Sequence, residues 1–142
     1  MALADQALEL QKSGCNCAQS VSGVFCEKYG IDHDQLMRMT TNFGSGMNAG
    51  DYCGALAGSI MVVGFKYGTT DPKDMDAKKL CRQKAAEIIE AFRKEKGTLH
   101  CRDMLGCDIT IPENFIKVKP RIIVECTALM HHMVTVLEDA GY

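Results

Sequence analysis

A chain of 142 residues is the size of one domain and can bury a core without cross-links, so its eight cysteines are not needed as staples. Sixteen basic and 18 acidic residues give a formal charge of -2, with no basic block to track a phosphate backbone, which argues against nucleic acid as a partner. The N-terminus lacks a basic segment followed by an apolar one, and the longest weakly polar run, residues 54–65, is far short of the ~20 residues that cross a bilayer. The expectation is a soluble, cytoplasmic protein without membrane insertion. Permanent disulfides are uncommon in such a reducing compartment, so this many cysteines point to metal binding, catalysis or redox sensing. Nine methionines and no tryptophan describe a core filled by flexible thioethers and small residues.

Helical periodicity runs through the chain. It predicts a first helix over residues 3–11, a break at Ser13-Gly14, and a second helix over 16–29 with Asn16 as N-cap and Gly30 as its stop. On that second helix Cys17, Val21, Val24 and Phe25 share one face, while Cys26 is turned about 180° away at 100° per residue. Asp32 opens a polar helix reaching residue 41, and residues 43–50 form a glycine-rich loop. With Asp51 as N-cap, a helix over 52–67 carries Gly54, Ala55, Ala57, Gly58, Ser59 and Gly64. Neighbouring backbones can approach it closely, and it reads as the buried centre. A long amphipathic helix over 73–96 places Ala77, Cys81, Ala85, Ile88 and Phe92 on one stripe and ends at Gly97.

A short helical turn follows at 101–105, closed by Gly106. Residues 111–119 read as irregular, with a strand there having no obvious partner. Pro120 is placed to start the last helix, on which Ile122, Cys126, Leu129, Met130, Met133 and Leu137 repeat at core-facing spacing. No repeat, low-complexity segment or linker interrupts the chain. Residues 1–142 are expected to form a single all-α domain, a bundle of about five to six helices.

The cysteines fall at positions 15, 17, 26, 53, 81, 101, 107 and 126, and no two form Cys-x-x-Cys. That spacing excludes the zinc-finger and ferredoxin patterns, so a site must be assembled from side chains on separate elements, as bundle cores do. Cys17, Cys53 and Cys101 stand at expected helix starts, where unsatisfied N–H groups and a partial positive charge favour the thiolate. Cysteine is also among the most buried residue types, so each equally fits a small core position. Cys126 fits as a core residue or an inward-facing ligand, and Cys26 and Cys81 fit packing. Of the histidines, His33, His131 and His132 read as partly exposed, and only His100 neighbours a candidate cysteine. Gly44-x-Gly46-x-x-Ala49 matches the dinucleotide fingerprint formally, but a helical pattern rather than a buried strand precedes it. No nucleotide is expected; the loop reads as a tight turn approaching the cysteine site.

The run Cys53-Gly54-Ala55-Leu56-Ala57-Gly58 resembles the signature of the C_GCAxxG_C_C family of redox-active proteins. The likeness extends through Asn16-Cys17-Ala18-Gln19, Phe43-Gly44-Ser45-Gly46 and Thr98-Leu99-His100-Cys101-Arg102 to Cys126. The resemblance implies four family cysteines, here Cys17, Cys53, Cys101 and Cys126, and a redox role. The added Cys15, Cys26, Cys81 and Cys107 leave room for a fifth ligand or a resolving thiol, with Cys107 the first candidate.

Three functions are compatible with these residues. In the leading one, Cys17, Cys53, Cys101 and Cys126, with Cys107 as a further candidate, bind an iron-sulfur cluster, zinc or iron for electron transfer or redox sensing with a separate redox partner. In the second, Cys53 attacks as the nucleophile of a thiol-disulfide oxidoreductase, and Cys17 or Cys101 resolves the mixed disulfide. In the third, a structural or adaptor bundle uses its cysteines as core filler. The small-residue helix is also compatible with a homo-oligomer.

Overall fold

The computed structural model describes all 142 residues. Its nine helices are α1 (Leu3–Lys12), α2 (Cys17–Gly23), α3 (Cys26–Tyr29), α4 (His33–Thr40), α5 (Gly54–Tyr67), α6 (Met75–Lys96), α7 (Cys101–Leu105), α8 (Pro112–Arg121) and α9 (Thr127–Asp139). A wide turn at Gly46–Gly50 precedes α5, and a π-helical segment, Ile122–Cys126, joins α8 to α9. No strand forms, although Tyr52 and His100 pair in one antiparallel bridge. No helix is long and apolar enough to cross a membrane.

Helix α5 is the centre of the packing because its side chains are small. Gly54, Ala55, Leu56, Gly58, Ser59, Val62 and Val63 are buried, and the helix packs against α2, α6 and α9. The closest approach is to α2. A Cβ added at Gly58 would lie 2.8 Å from the Ala18 carbonyl oxygen and 3.1 Å from the Ala18 Cα. One added at Gly54 would lie 2.8 Å from the Phe43 carbonyl oxygen and 3.1 Å from the Cys17 Cβ. Both obstacles are largely backbone, which cannot rotate aside. The two glycines therefore form a groove in α5 into which the start of α2 is laid. Around this seam Phe25, Phe92, Met133 and Leu137 are completely buried.

The expected all-α architecture is present, with more and shorter helices than the anticipated five to six. The segment expected as one helix over 16–29 divides into α2 and α3 at Val24 and Phe25. Ser22 Oγ donates to the Ala18 carbonyl at 2.6 Å, a back-bond that bends helices, and Gly23 follows it. The anticipated helix start at Tyr52 is also displaced: Cys53 is the N-cap of α5, and Tyr52 lies in the bridge to His100.

The irregular or strand-like stretch expected over 111–119 is instead α8. Extended Ile111 leads into Pro112 at the first helical position, where a missing N–H costs nothing. Pro120, expected to start the last helix, lies inside α8. A proline there removes one backbone hydrogen bond, and the ladder widens directly afterwards into the π segment that carries Cys126.

Gly58→Ala should cost about 1–3 kcal/mol in chemical denaturation, because α2 must move off α5. Gly64→Ala is the matched control: its added Cβ meets nothing within 4 Å, so it should gain up to ~1 kcal/mol in helix propensity. Equal behaviour of the two variants would contradict the close packing of α2 on α5.

Candidate functional site

Three local devices position the four expected cysteines. Cys17 opens α2 behind a reciprocal capping box, in which Asn16 Oδ1 accepts from the Gln19 amide and Gln19 Oε1 accepts from the Asn16 amide, both at 2.9 Å. Asn16 Nδ2 also donates to the carbonyls of Thr40 and Thr41 at 3.0 and 3.1 Å. The helix start is thereby tied to the end of α4.

Cys53 and Cys101 are joined through the bridge. The Cys53 amide donates to the Leu99 carbonyl at 2.9 Å, and the Cys101 amide donates to the Asp51 carbonyl at 2.7 Å. The Tyr52 and His100 rings stack with centroids 4.7 Å apart, while the flanking Cys53 and Cys101 are both buried, each 7 % exposed. Alternation along extended backbone places the rings and the thiols on opposite faces.

The turn before this bridge is left-handed at Ser45, Gly46, Met47 and Asn48. Gly46 has no alternative, because a Cβ there would collide with the Asp51 amide nitrogen and lie 2.6 Å from the Asp51 carbonyl oxygen. Arg102 holds the same turn by donating to the carbonyls of Ala49 and Gly50 at 2.8 and 3.1 Å. The fourth residue, Cys126, ends the π segment. Arg121 pins the preceding α8 to α7, donating to the carbonyls of Leu105 and Met104 at 3.1 Å each and pairing with Glu125 at 3.0 Å.

Cys17, Cys53, Cys101 and Cys126 all line one cavity of about 550 Å3, which Cys15 also borders. Cys107 does not line it but lies close enough for its charge to act on Cys101. Cys26 belongs to a separate groove beside His33, and Cys81 packs against the main core. Among the histidines, His131 faces Asp5 and His132 faces Glu95, and neither lines the cavity. His100 turns its ring toward Asp51 and Asp103. The helix α4 ahead of the glycine loop removes the buried strand that a dinucleotide fingerprint requires.

Electrostatics reverse the expectation that helix starts lower these thiols. Burial pushes Cys17 well above its ordinary value, and prospective charges on Cys53, Cys126 and Cys101 push it further. Burial likewise raises Cys53; the amides of Ala55 and Leu56 and the Lys96 ammonium pull it down, but by less. Cys101 is pushed up to about 12 by burial, then by Cys53, Cys126, Asp108 and Cys107. Cys126 is pushed up to about 11 by burial, then Cys53 and Glu125, with Lys96 and Arg121 opposing. The helix-start amides do favour the thiolate, as expected, but desolvation and the neighbouring thiols outweigh them. No three His, Cys, Asp or Glu side chains are arranged to hold a single ion.

Lys96, Arg102 and Arg121 are site residues that sequence pattern did not single out. Lys96 reads as an ordinary basic residue at the end of an amphipathic helix, and the arginines act on carbonyls that carry no sequence signal.

In the metal-free, reduced protein the fraction of thiolate at pH 8 should be very small at Cys101 and Cys126. With their titration near 12 and 11 against an ordinary value of about 8.5, alkylation of both should be at least ~100-fold slower than that of free cysteine. The rates should rise with pH well beyond the range in which free cysteine levels off. Peptide-resolved alkylation checks this, and plateaus below pH 9 at either residue would refute the electrostatic description.

The chain matches no curated protein and no solved structure. One family, described as "Putative redox-active protein (C_GCAxxG_C_C)", matches residues 15–140 and so spans all five cysteines that line the cavity, the paired glycines of α5 and the bridge. The chain therefore belongs to the C_GCAxxG_C_C redox-active protein family.

Proposed function

We propose that Cys17, Cys53, Cys101 and Cys126 together ligate an iron-sulfur cluster that serves electron transfer or redox sensing. The observation that carries this reading is the convergence of four thiols, from four separate elements, on one cavity of about 550 Å3. Thiolates are the usual ligands of such clusters. A mononuclear zinc or iron ion held by the same thiolates is the alternative centre.

The electrostatics favour the same reading. Four desolvated thiols facing one space resist ionising together, since each new thiolate raises the others. A cationic metal centre removes that penalty and binds the thiolates it creates. When bound, the cluster supplies a one-electron redox couple at a site shielded from bulk water. The protein's own contribution is to fix the four sulfurs through the α2–α5 seam, the bridge and the π segment, and to place Lys96 near Cys53 and Cys126.

The thiol-disulfide oxidoreductase reading requires an accessible thiolate at Cys53. Burial of Cys53 and the upward displacement of its titration both weigh against that chemistry. Cys15 borders the cavity and is a candidate auxiliary ligand in place of Cys107.

Anaerobic reconstitution with ferrous iron and sulfide should load wild type and the Cys26→Ser and Cys81→Ser variants alike. Cys53→Ser and Cys101→Ser should lose most of the iron and the sulfide-to-iron charge-transfer absorption. A folded wild-type chain that takes up no iron and sulfide would sink the proposal. Loading should also be strongly pH-dependent. Because the ligand thiols hold their protons at neutral pH, each must release one on binding, and apparent affinity should fall by up to about tenfold per thiol for each unit of acidification. Proton release on metal addition to weakly buffered protein measures this directly, and binding without proton release would contradict it.

A further inference from the structure

Besides the thiols the cavity has an extensive apolar lining, drawn in part from the small cluster in which Cys101 and Cys126 pack. Met104, Leu105, Ile109, Phe115, Ile122 and Leu129 form it, and Leu105 and Leu129 are buried. At about 550 Å3 the space is far larger than an ion needs and lies within the ~300–1,000 Å3 of small-molecule pockets, which combine apolar walls with a few polar groups.

The charged groups of the lining are Lys96, Asp103 and Glu125. Both carboxylates have other partners: Asp103 accepts from the Thr98 hydroxyl at 2.9 Å and faces His100 Nδ1 at 3.7 Å, and Glu125 pairs with Arg121. Lys96, the only cation in the lining, takes part in none of the protein's ion pairs. A cation without a carboxylate partner, at the edge of an apolar wall, is the complement of an amphipathic anion.

We infer that this cavity binds a compact, mainly apolar organic anion. Its hydrocarbon or aromatic body lies against Leu105, Ile109, Phe115 and Leu129, and its anionic group meets Lys96 beside the thiols. Binding stands on the cavity alone; only the ligand's role, as substrate or effector of the redox centre, rests on the thiol-cluster reading. Phe115, partly exposed, forms the rim. Ile116, 72 % exposed on the same helix, lies outside the lining and offers a competing apolar surface.

The test uses the reduced, metal-free chain of 142 residues and two fluorescent probes of similar shape, anionic anilinonaphthalene sulfonate and uncharged phenylnaphthylamine. Each should bind saturably, one per chain. Lys96→Met should weaken the sulfonate about tenfold and change the neutral probe by less than about twofold, the size of one lost charge-assisted contact, whereas Lys96→Arg should retain sulfonate binding. Phe115→Ser should weaken both probes, and Ile116→Ser neither. Absence of saturable binding, equal loss of both probes in Lys96→Met, or loss in Ile116→Ser would overturn the inference. Because metal is absent throughout, any of these failures leaves the cluster's own reconstitution test unaffected.

Discussion

The closeness of α2 to α5 is the constraint on which the site depends. Gly54 and Gly58 lie one helical turn apart and face α2, and backbone atoms of Phe43 and Ala18 occupy the space their side chains would fill. This contact does more than pack two helices. It places Cys17, the first residue of α2, beside Cys53, the N-cap of α5. The family signature thus reads as mechanics: its cysteine supplies a sulfur, and its two glycines bring another element's sulfur to it. The bridge then adds Cys101 through two backbone hydrogen bonds, and the π segment adds Cys126.

Without a cation the four thiols stay protonated at neutral pH. Cys53 and Cys101 are buried and Cys17 and Cys126 half-buried, and desolvation and the neighbouring thiols oppose ionisation more than Lys96, Arg121 and a few helix-start amides favour it. A packing role for the cysteines would not call for five of them to line a cavity. A nucleophilic role would call for at least one to be ionised and open. The arrangement agrees better with thiols held in readiness for a metal centre, with an apolar wall and an unmatched ammonium next to them.

Much of this was legible in the sequence, for identifiable reasons. The capping signal at Asn16, the small-residue face of α5, the amphipathic stripe of α6 and the glycine after Leu105 are local signals, and the corresponding elements formed. The grouping of Cys17, Cys53, Cys101 and Cys126 combined inward or helix-start positions with the family likeness. What stayed hidden was mostly tertiary. Pro120 reads as a helix start and 111–119 as irregular, whereas Pro112 takes the first helical position and Pro120 falls inside the helix. The pairing of Tyr52 with His100 involves too few residues to show a strand period, yet it joins two of the four sulfurs. The titration of the thiols was misread because a helix start is visible in sequence, whereas the desolvation that outweighs it follows from the packed fold.

The central claim, that the fold brings Cys17, Cys53, Cys101 and Cys126 to one cavity, with Cys15 at its border and Cys26 and Cys81 elsewhere, is tested most directly by thiol cross-linking. Reduced, metal-free protein treated with a short thiol-bridging reagent and mapped by peptide mass spectrometry should yield links among Cys17, Cys53, Cys101 and Cys126. Links confined to other pairs, such as Cys26 with Cys81, or bridging that appears only after the protein is denatured, would contradict the account.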